Sequence, residues 1–228
     1  MKLYIVATPL GNLKDITLRA LEVLKSVPLI ACEDTRVSSK LLAAYDIKTK
    51  TVSYHQHSSA GKVDFLLDKL AETGEMAVIT DAGTPGISDP GNLLVEAAVK
   101  RFGSQCEIIP IPGPSAIVAL LSISGLPTDR FLFLGFLPHK KGKETILKRI
   151  IDSGETTVFY ESTHRIIKSL EKLNEMMPPG ADNGRRIVVG RELTKKFETV
   201  YRGNIKQILD QLKSDTTKGE FVVVVEGK

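Results

Sequence analysis

The stretch best suited to close contact with a ligand is Asp81-Ala82-Gly83-Thr84-Pro85-Gly86-Ile87-Ser88-Asp89-Pro90-Gly91, in which five of eleven residues are Gly or Pro. Glycine lets backbone approach a ligand, and proline fixes the turn. The apolar run Met76-Ala77-Val78-Ile79-Thr80 before it reads as a buried strand. In an open α/β sheet, ligands lie beyond the carboxyl ends of the strands, where this loop is expected. Taken alone, the loop is either a ligand wall or a tight strand-to-helix turn. Thr8-Pro9-Leu10-Gly11-Asn12 follows the first apolar run in the same way. It carries neither the dinucleotide glycine pattern nor the P-loop lysine, which argues against a pyrophosphate or triphosphate cradle.

Three further clusters combine charge with a strand end. Cys32-Glu33-Asp34-Thr35-Arg36 could anchor a substrate, or Asp34 could simply cap a helix. In Phe159-Tyr160-Glu161-Ser162-Thr163-His164-Arg165, an aromatic ring could stack on a base, and His164 or Arg165 could contact phosphate. The alternative puts Phe159 in the core and pairs Glu161 with Arg165. Gly190-Arg191-Glu192-Leu193-Thr194-Lys195-Lys196-Phe197-Glu198 gathers acids and bases at an expected hairpin tip, where exposed charge is also ordinary. His55 and His57 have no carboxylate or Cys close in sequence, and Cys32 and Cys106 sit in apolar context, so no metal site is expected.

These clusters need a scaffold. Apolar residues make up 42% of the chain and charged residues 25%, the balance of a soluble globular protein. No apolar run reaches the roughly 18 residues that span a bilayer, and the start of the chain does not read as a signal peptide. A cytoplasmic protein without a membrane partner is expected. Strand-like runs at 3–7, 28–32, 51–54, 76–80 and 106–111, then 131–136, 156–161, 186–190, 198–202 and 221–226, alternate with helix-period runs such as Val63, Leu66, Leu67 and Leu70. This order predicts an α/β protein. The proline-rich Ile109–Ser115 segment precedes an apolar helix, Ala116–Ser124. The division into two domains is placed after that helix, at 1–124 and 125–228, the second with a mixed sheet. Net charge is −1 over residues 1–120 and +5 over 121–228. Basic clusters stand at His139–Lys143 with Lys148 and Arg149, and at Arg185, Arg186, Arg191, Lys195 and Lys196. They fit a polyanionic partner or a solvated surface.

In this order the motifs Thr8–Asn12 with Asp15-Ile16-Thr17, Glu33–Arg36, Asp81–Gly91, Pro112–Ala116, Phe159–Ser162 with His164-Arg165, and Arg191–Lys196 resemble the tetrapyrrole methylase superfamily of S-adenosylmethionine-dependent methyltransferases. Within it the chain is similar to the bacterial enzymes that methylate a cytidine 2′-hydroxyl in small-subunit ribosomal RNA. The resemblance implies two α/β domains with the cofactor in the cleft between them, and a homodimer. It implies cofactor contacts at Pro9, Leu10, Gly83, Thr84, Pro85, Ile87, Ser115, Ala116, Phe159, Tyr160 and Phe221, largely through backbone and small side chains. Asp81, Asp89 and Pro90 are then expected to hold the shape of their loop. Thr163 stands where proline is common, a change expected to affect turn stiffness.

Such a transfer is an in-line displacement, in which the enzyme chiefly holds the reacting atoms collinear. A weakly acidic hydroxyl is helped by a general base or by a cation near the developing alkoxide. Candidates are Glu192, Lys195 and Asp34, with Glu192 or Lys195 favoured. Arg36, His164, Arg165 and Arg191 are candidates for the RNA backbone, the RNA being either free or in the assembled small subunit. The fold also admits a tetrapyrrole C-methyltransferase or a protein-modifying enzyme of the diphthine-forming kind. A non-catalytic RNA-binding module is the reading from another class.

Overall fold

The computed structural model describes residues 1–55, 60–89, 91–178 and 184–228, so His57 and Pro90 lie outside the described residues. The chain divides into two units, Met1–Ser115 and Ala116–Lys228.

The first unit contains β1 (Lys2–Val6), α1 (Leu18–Ser26), β2 (Leu29–Cys32), α2 (Thr35–Ala44), β3 (Lys50–Ser53), α3 (Ala60–Thr73), β4 (Glu75–Ile79), α4 (Gly91–Phe102) and β5 (Glu107–Ile111). Its strands are parallel and run in the order β3-β2-β4-β1-β5. The central strands are covered on both faces, which is why β4 reads as an unbroken apolar run with Met76–Ile79 all buried. On one face Leu3, Met76 and Val78 pack with Leu66 and Leu70 of α3 and Leu94 of α4. On the other, Val6, Ile30, Ala77 and Ile79 pack with Leu24 of α1 and Leu42 of α2. Thr17 starts α1 by accepting the Ala20 amide at 3.2 Å. Because the strands are parallel, the loops after β1, β2, β4 and β5 all leave from one edge of the sheet.

The second unit contains α5 (Ala116–Ser124), β6 (Phe131–Phe136), α6 (Lys143–Asp152), β7 (Thr156–Ser162), α7 (Ile166–Met176), β8 (Ile187–Arg191), β9 (Thr199–Gly203), α8 (Ile205–Ser214) and β10 (Glu220–Val225). Its strand order is β6-β7-β10-β8-β9. Only β6 and β7 pair in parallel, so the sheet is mixed, and β8 and β9 form the expected hairpin. Phe159, Val189, Phe221 and Val223 face a core made with α6, α7 and α8. Val158, Val188, Val222 and Val224 face α5. Full burial of side chains as large as Phe159 and Phe221 contributes about 1.5–3 kcal/mol each.

The division therefore falls at Ser115, not after Ser124 as expected from the sequence. The helix α5 packs through Ile117, Leu120 and Leu121 onto β8 and β10. A Cβ at Gly190 would stand 2.9 Å from Leu120 Cδ1, so helix and strand approach closely. Arg202 then donates to the Ile123 carbonyl at 2.8 Å.

Candidate active site

In the first unit, the loops after β4, β1 and β5 converge because those strands are neighbours. Thr8 and Gly83 form an isolated antiparallel bridge between two of the loops. The Thr8 hydroxyl donates to the Thr80 carbonyl at 3.1 Å, and the Thr84 hydroxyl donates to the Pro114 carbonyl at 3.2 Å. Gly83 has φ +83°, and a Cβ there would lie 3.4 Å from Leu10 Cδ2 and 3.8 Å from the Pro114 carbonyl oxygen. A side chain at position 83 would thus begin to fill the place where the three loops meet. Pro9, Gly83 and Pro85 are buried, Leu10, Thr84 and Ser115 are half-buried, and Ile87 is exposed. Farther along, Asp89 Oδ1 accepts the amides of Gly86 at 2.7 Å and Gly91 at 2.8 Å, which fixes the loop as expected.

The loop after β2 is tied in by acids. The Asp34 amide donates to Asp81 Oδ1 at 3.1 Å, and the Asp81 amide to Glu33 Oε2 at 3.4 Å. Partial desolvation raises the Glu33 and Asp81 carboxyls above their ordinary values although Asp81 stays exposed, and the neighbouring acids add to the shift. Asp34 behaves oppositely. It caps α2 by accepting the Arg36 amide at 2.8 Å and pairs with the Arg36 guanidinium at 2.6 Å. Those bonds hold its carboxyl at about 2. Its carboxylate is engaged as the α2 cap and by Arg36, which argues against it as the general base. The Arg36 side chain is 88% exposed and remains open to an anion on its outer side.

In the second unit, strand parity separates the predicted cofactor residues. Phe159 and Phe221 point into the core, so only their backbone could meet a ligand. Tyr160 lies on the opposite face, in edge contact with Phe133 at 5.2 Å and tilted against Phe136 at 5.3 Å between centroids. Ala116 is the first residue of α5 and half-buried. His164 is exposed.

Two arginines expected at an RNA surface are engaged internally. Arg191 is 5% exposed, with bonds to the Lys218 carbonyl at 3.2 Å and Thr199 Oγ1 at 2.9 Å, and with Asp215 at 3.7 Å. Arg165 pairs with buried Glu161 at 3.3 Å and donates to the carbonyls of Leu137 and Pro138. The Glu161 pairing is the local alternative that the sequence offered, whereas the Leu137 and Pro138 carbonyls held by Arg165 and the Lys218 and Asp215 partners of Arg191 come from distant segments.

Glu192 and Lys195 do meet. Lys195 Nζ stands 2.9 Å from Glu192 Oε1 and 2.8 Å from Glu220 Oε2. The Glu220 amide also donates to Glu192 Oε1, at 2.9 Å. Burial acts to lower the Lys195 pKa, but the bonds to Glu220 and Glu192 outweigh it and leave the ammonium above its ordinary value. Burial acts to raise the Glu192 carboxyl, yet Lys195 and the Glu220 amide bring it below its ordinary value. The pair is therefore an ion pair near neutral pH, a cation held by two carboxylates.

Gly219 makes the space for it, since a Cβ there would fall 2.5 Å from Glu192 Cγ. The Thr163 hydroxyl donates to the Gly219 carbonyl and accepts its amide at 2.8 Å. Thr163 thus does more than set turn stiffness: a proline there could make neither bond. Gly219 was not among the residues expected at the site, and Thr163 was expected only to affect turn stiffness. The one sequence signal was the Lys218-Gly219-Glu220 approach to the last strand.

A family model described as Tetrapyrrole (Corrin/Porphyrin) Methylases matches residues 2–209. The chain belongs to the tetrapyrrole methylase family. Relatives named "Ribosomal RNA small subunit methyltransferase I" include one from Escherichia coli O157:H7, 45% identical over 99% of this chain and 78% of its own length. Another, from Vibrio cholerae, is 46% identical over 99% of this chain and 77% of its own length. The crystal structure of a cobalt precorrin-4 methyltransferase shares the fold with a TM-score of 0.71 at 19% identity, covering 99% of this chain and 94% of that one. The uroporphyrin III C-methyltransferase of Thermus thermophilus does so with a TM-score of 0.66 at 16% identity, covering 98% and 97%.

Membership makes S-adenosylmethionine the cofactor, and the first-unit loops suit it. Residues 8–12, 80–91 and 112–115 contain no Lys or Arg, as befits a ligand whose sulfonium and amino groups are cationic. Where the three loops meet, Gly83 packs beside Leu10 and the Pro114 carbonyl, an apolar side chain next to a hydrogen-bond acceptor. Among the described residues no group of His, Cys, Asp and Glu is arranged for a metal ion.

Proposed function

We propose that this protein methylates small-subunit ribosomal RNA at the 2′-hydroxyl of a cytidine, with S-adenosylmethionine as donor. The observation that carries the reading is a likeness over 99% of this chain to ribosomal RNA small subunit methyltransferases, in a chain whose converging β1, β4 and β5 loops carry no Lys or Arg. When bound, the cofactor supplies an electrophilic methyl group on sulfur. Pro9, Leu10, Gly83, Thr84, Pro85, Ile87 and Ser115 would hold it, with backbone at Ala116, Phe159 and Phe221 and the ring of Tyr160 as further contacts.

Lys195 is the residue for the acceptor oxygen. Its retained proton makes it a cation that stabilises a developing alkoxide, not a base. Glu192 and Glu220 hold the ammonium in place. Arg36 and His164 are exposed for phosphate contacts, whereas Arg165 and Arg191 position neighbouring backbone. No helix among the described residues is long and apolar enough to cross a membrane. The reading places the protein in the cytoplasm, acting as a homodimer on free RNA or on the assembled small subunit.

Mass-spectrometric mapping of ribose methylation in ribosomal RNA from cells lacking the gene tests the assignment. Loss of one methylated cytidine is expected, and an unchanged map overturns it. Transfer to a porphyrinoid with no dependence on salt would instead indicate a tetrapyrrole substrate.

A further inference from the structure

We propose that the segment Phe136–Lys143 is a rigid RNA-binding ledge, on which a base stacks on Phe136 and Lys140 and Lys141 hold the adjoining phosphates. The inference rests on the RNA reading above and names the surface that serves it.

Both ends of the segment are pinned from inside by one carboxylate. Glu161 is fully buried, and its Oε1 accepts the Ser162 amide at 2.9 Å and faces Arg165 Nε at 3.3 Å. The same guanidinium holds the carbonyls of Leu137 and Pro138, at the start of the loop. Glu161 Oε2 accepts the Ser169 hydroxyl at 2.6 Å, and Ser169 Oγ in turn accepts Lys143 Nζ at 2.9 Å, at the end of the loop. Removing these charges from water is costly, and apolar residues would often stabilise the fold as well. What the network provides is a fixed loop geometry.

The pinned loop is charged outward. Residues 138–149 carry five Lys or Arg against the single carboxylate of Glu144. Lys140, Lys141, Lys148 and Arg149 are exposed, and among the described residues their side chains form no ion pair or hydrogen bond. That sets them apart from Arg165, Arg186, Arg191 and Lys195, which are all paired. At the loop's first residue, Phe136 is 57% exposed and is backed by Tyr160. An exposed ring beside unpaired cations is the combination that binds single-stranded nucleic acid: rings take bases and cations take phosphates. Free, unstacked bases are also what a ribose-modifying enzyme meets in RNA loops.

Binding of the full chain to a short single-stranded RNA, measured by fluorescence anisotropy across a salt series, tests this. The double variant Lys140→Ala, Lys141→Ala should lower the slope of log K against log salt by about 1.4, at roughly 0.7 per lost phosphate contact. Phe136→Ala should weaken binding at every salt concentration without changing the slope, and Phe136→Tyr should restore it. Glu161→Gln should raise KM for RNA and leave kcat unchanged. An unchanged slope in the exposed double variant overturns the ledge, as does equal binding to phosphatidylglycerol vesicles in the same buffer. Methyl incorporation by the wild type, assayed separately, judges the catalytic reading, so the two can fail independently.

Discussion

Thr8 and Gly83 exchange both backbone hydrogen bonds, at 2.9 and 3.0 Å, across an antiparallel bridge at the edge of a sheet whose strands are all parallel. The bridge needs the chain to reverse just after β4, and Gly83 does so at φ +83°. Alanine at 83 would suffer the left-handed penalty of roughly 1–2 kcal/mol. Its methyl would lie in ordinary van der Waals contact with Leu10 at 3.4 Å, so the cost is in the backbone. Gly83→Ala is expected to lower the melting temperature modestly and to weaken S-adenosylmethionine binding at least tenfold by calorimetry. Full affinity in a destabilised variant would remove Gly83 from the pocket.

Asp89 stabilises the same loop from its far end. Its Oδ1 takes two amides, of Gly86 and Gly91, and a Cβ at Gly91 would lie 2.6 Å from the Gly86 nitrogen, so this turn admits only glycine there. Asp89→Ala leaves both amides without their acceptor, a loss of about 1–3 kcal/mol. Asp89→Asn keeps one oxygen and should lose less. Urea denaturation of the two variants gives the comparison, and equal midpoints would show that the aspartate does not hold the turn.

How far these features could be read beforehand depended on the physics of each element. Most strands announced themselves through short apolar or β-branched runs between turn residues, and the helix over Val63–Leu70 through its period. Parity did not. In β7, Val158 and Phe159 are both fully buried, on opposite faces, so composition cannot say that Phe159 joins the core while Tyr160 faces α5. The helix α5 is apolar nearly all round and carries no stripe to show which unit it joins. Arg191 looked like a surface cation because its partners, Lys218 and Asp215, lie more than twenty residues away. The Gly/Pro loop was legible because its chemistry is local.

Charge sets the pH behaviour of the Lys195 pair. Lys195 is raised in the fold, so its stabilising bonds are fully present below its unfolded pKa near 10.5 and are lost as pH rises through the higher folded value. Glu192 is lowered, so its contribution is present above its unfolded pKa near 4.5 and is lost as pH falls through the lower folded value. The methyl-transfer rate should therefore be flat from about pH 6 to 9. A rate rising tenfold per pH unit across that range would mean that Lys195 acts as a neutral base. Lys195→Ala should cut the single-turnover rate with saturating RNA by roughly 10²-fold or more. If Lys195→Ala and Glu192→Ala both keep the full rate, neither is catalytic.

Gly219 offers a sharper test, because it alters the pair without touching its charges. A methyl group at 219 would meet Glu192 at Cγ, Cδ and Oε1, all within 2.7 Å. The backbone there, at φ +123°, is also poorly suited to any side chain. Glu192 would have to leave, and Lys195 would keep only Glu220, whose side chain is 81% exposed. Gly219→Ala is expected to match Glu192→Ala in transfer rate. The double variant should then be no slower than either single one, since both remove the same support. Thr163→Val, which loses both hydroxyl bonds to Gly219, should fall between these variants and the wild type. A Gly219→Ala protein with wild-type rate and a wild-type melting temperature would show that the ammonium needs no second carboxylate, and would leave Glu192 a role in the turn alone.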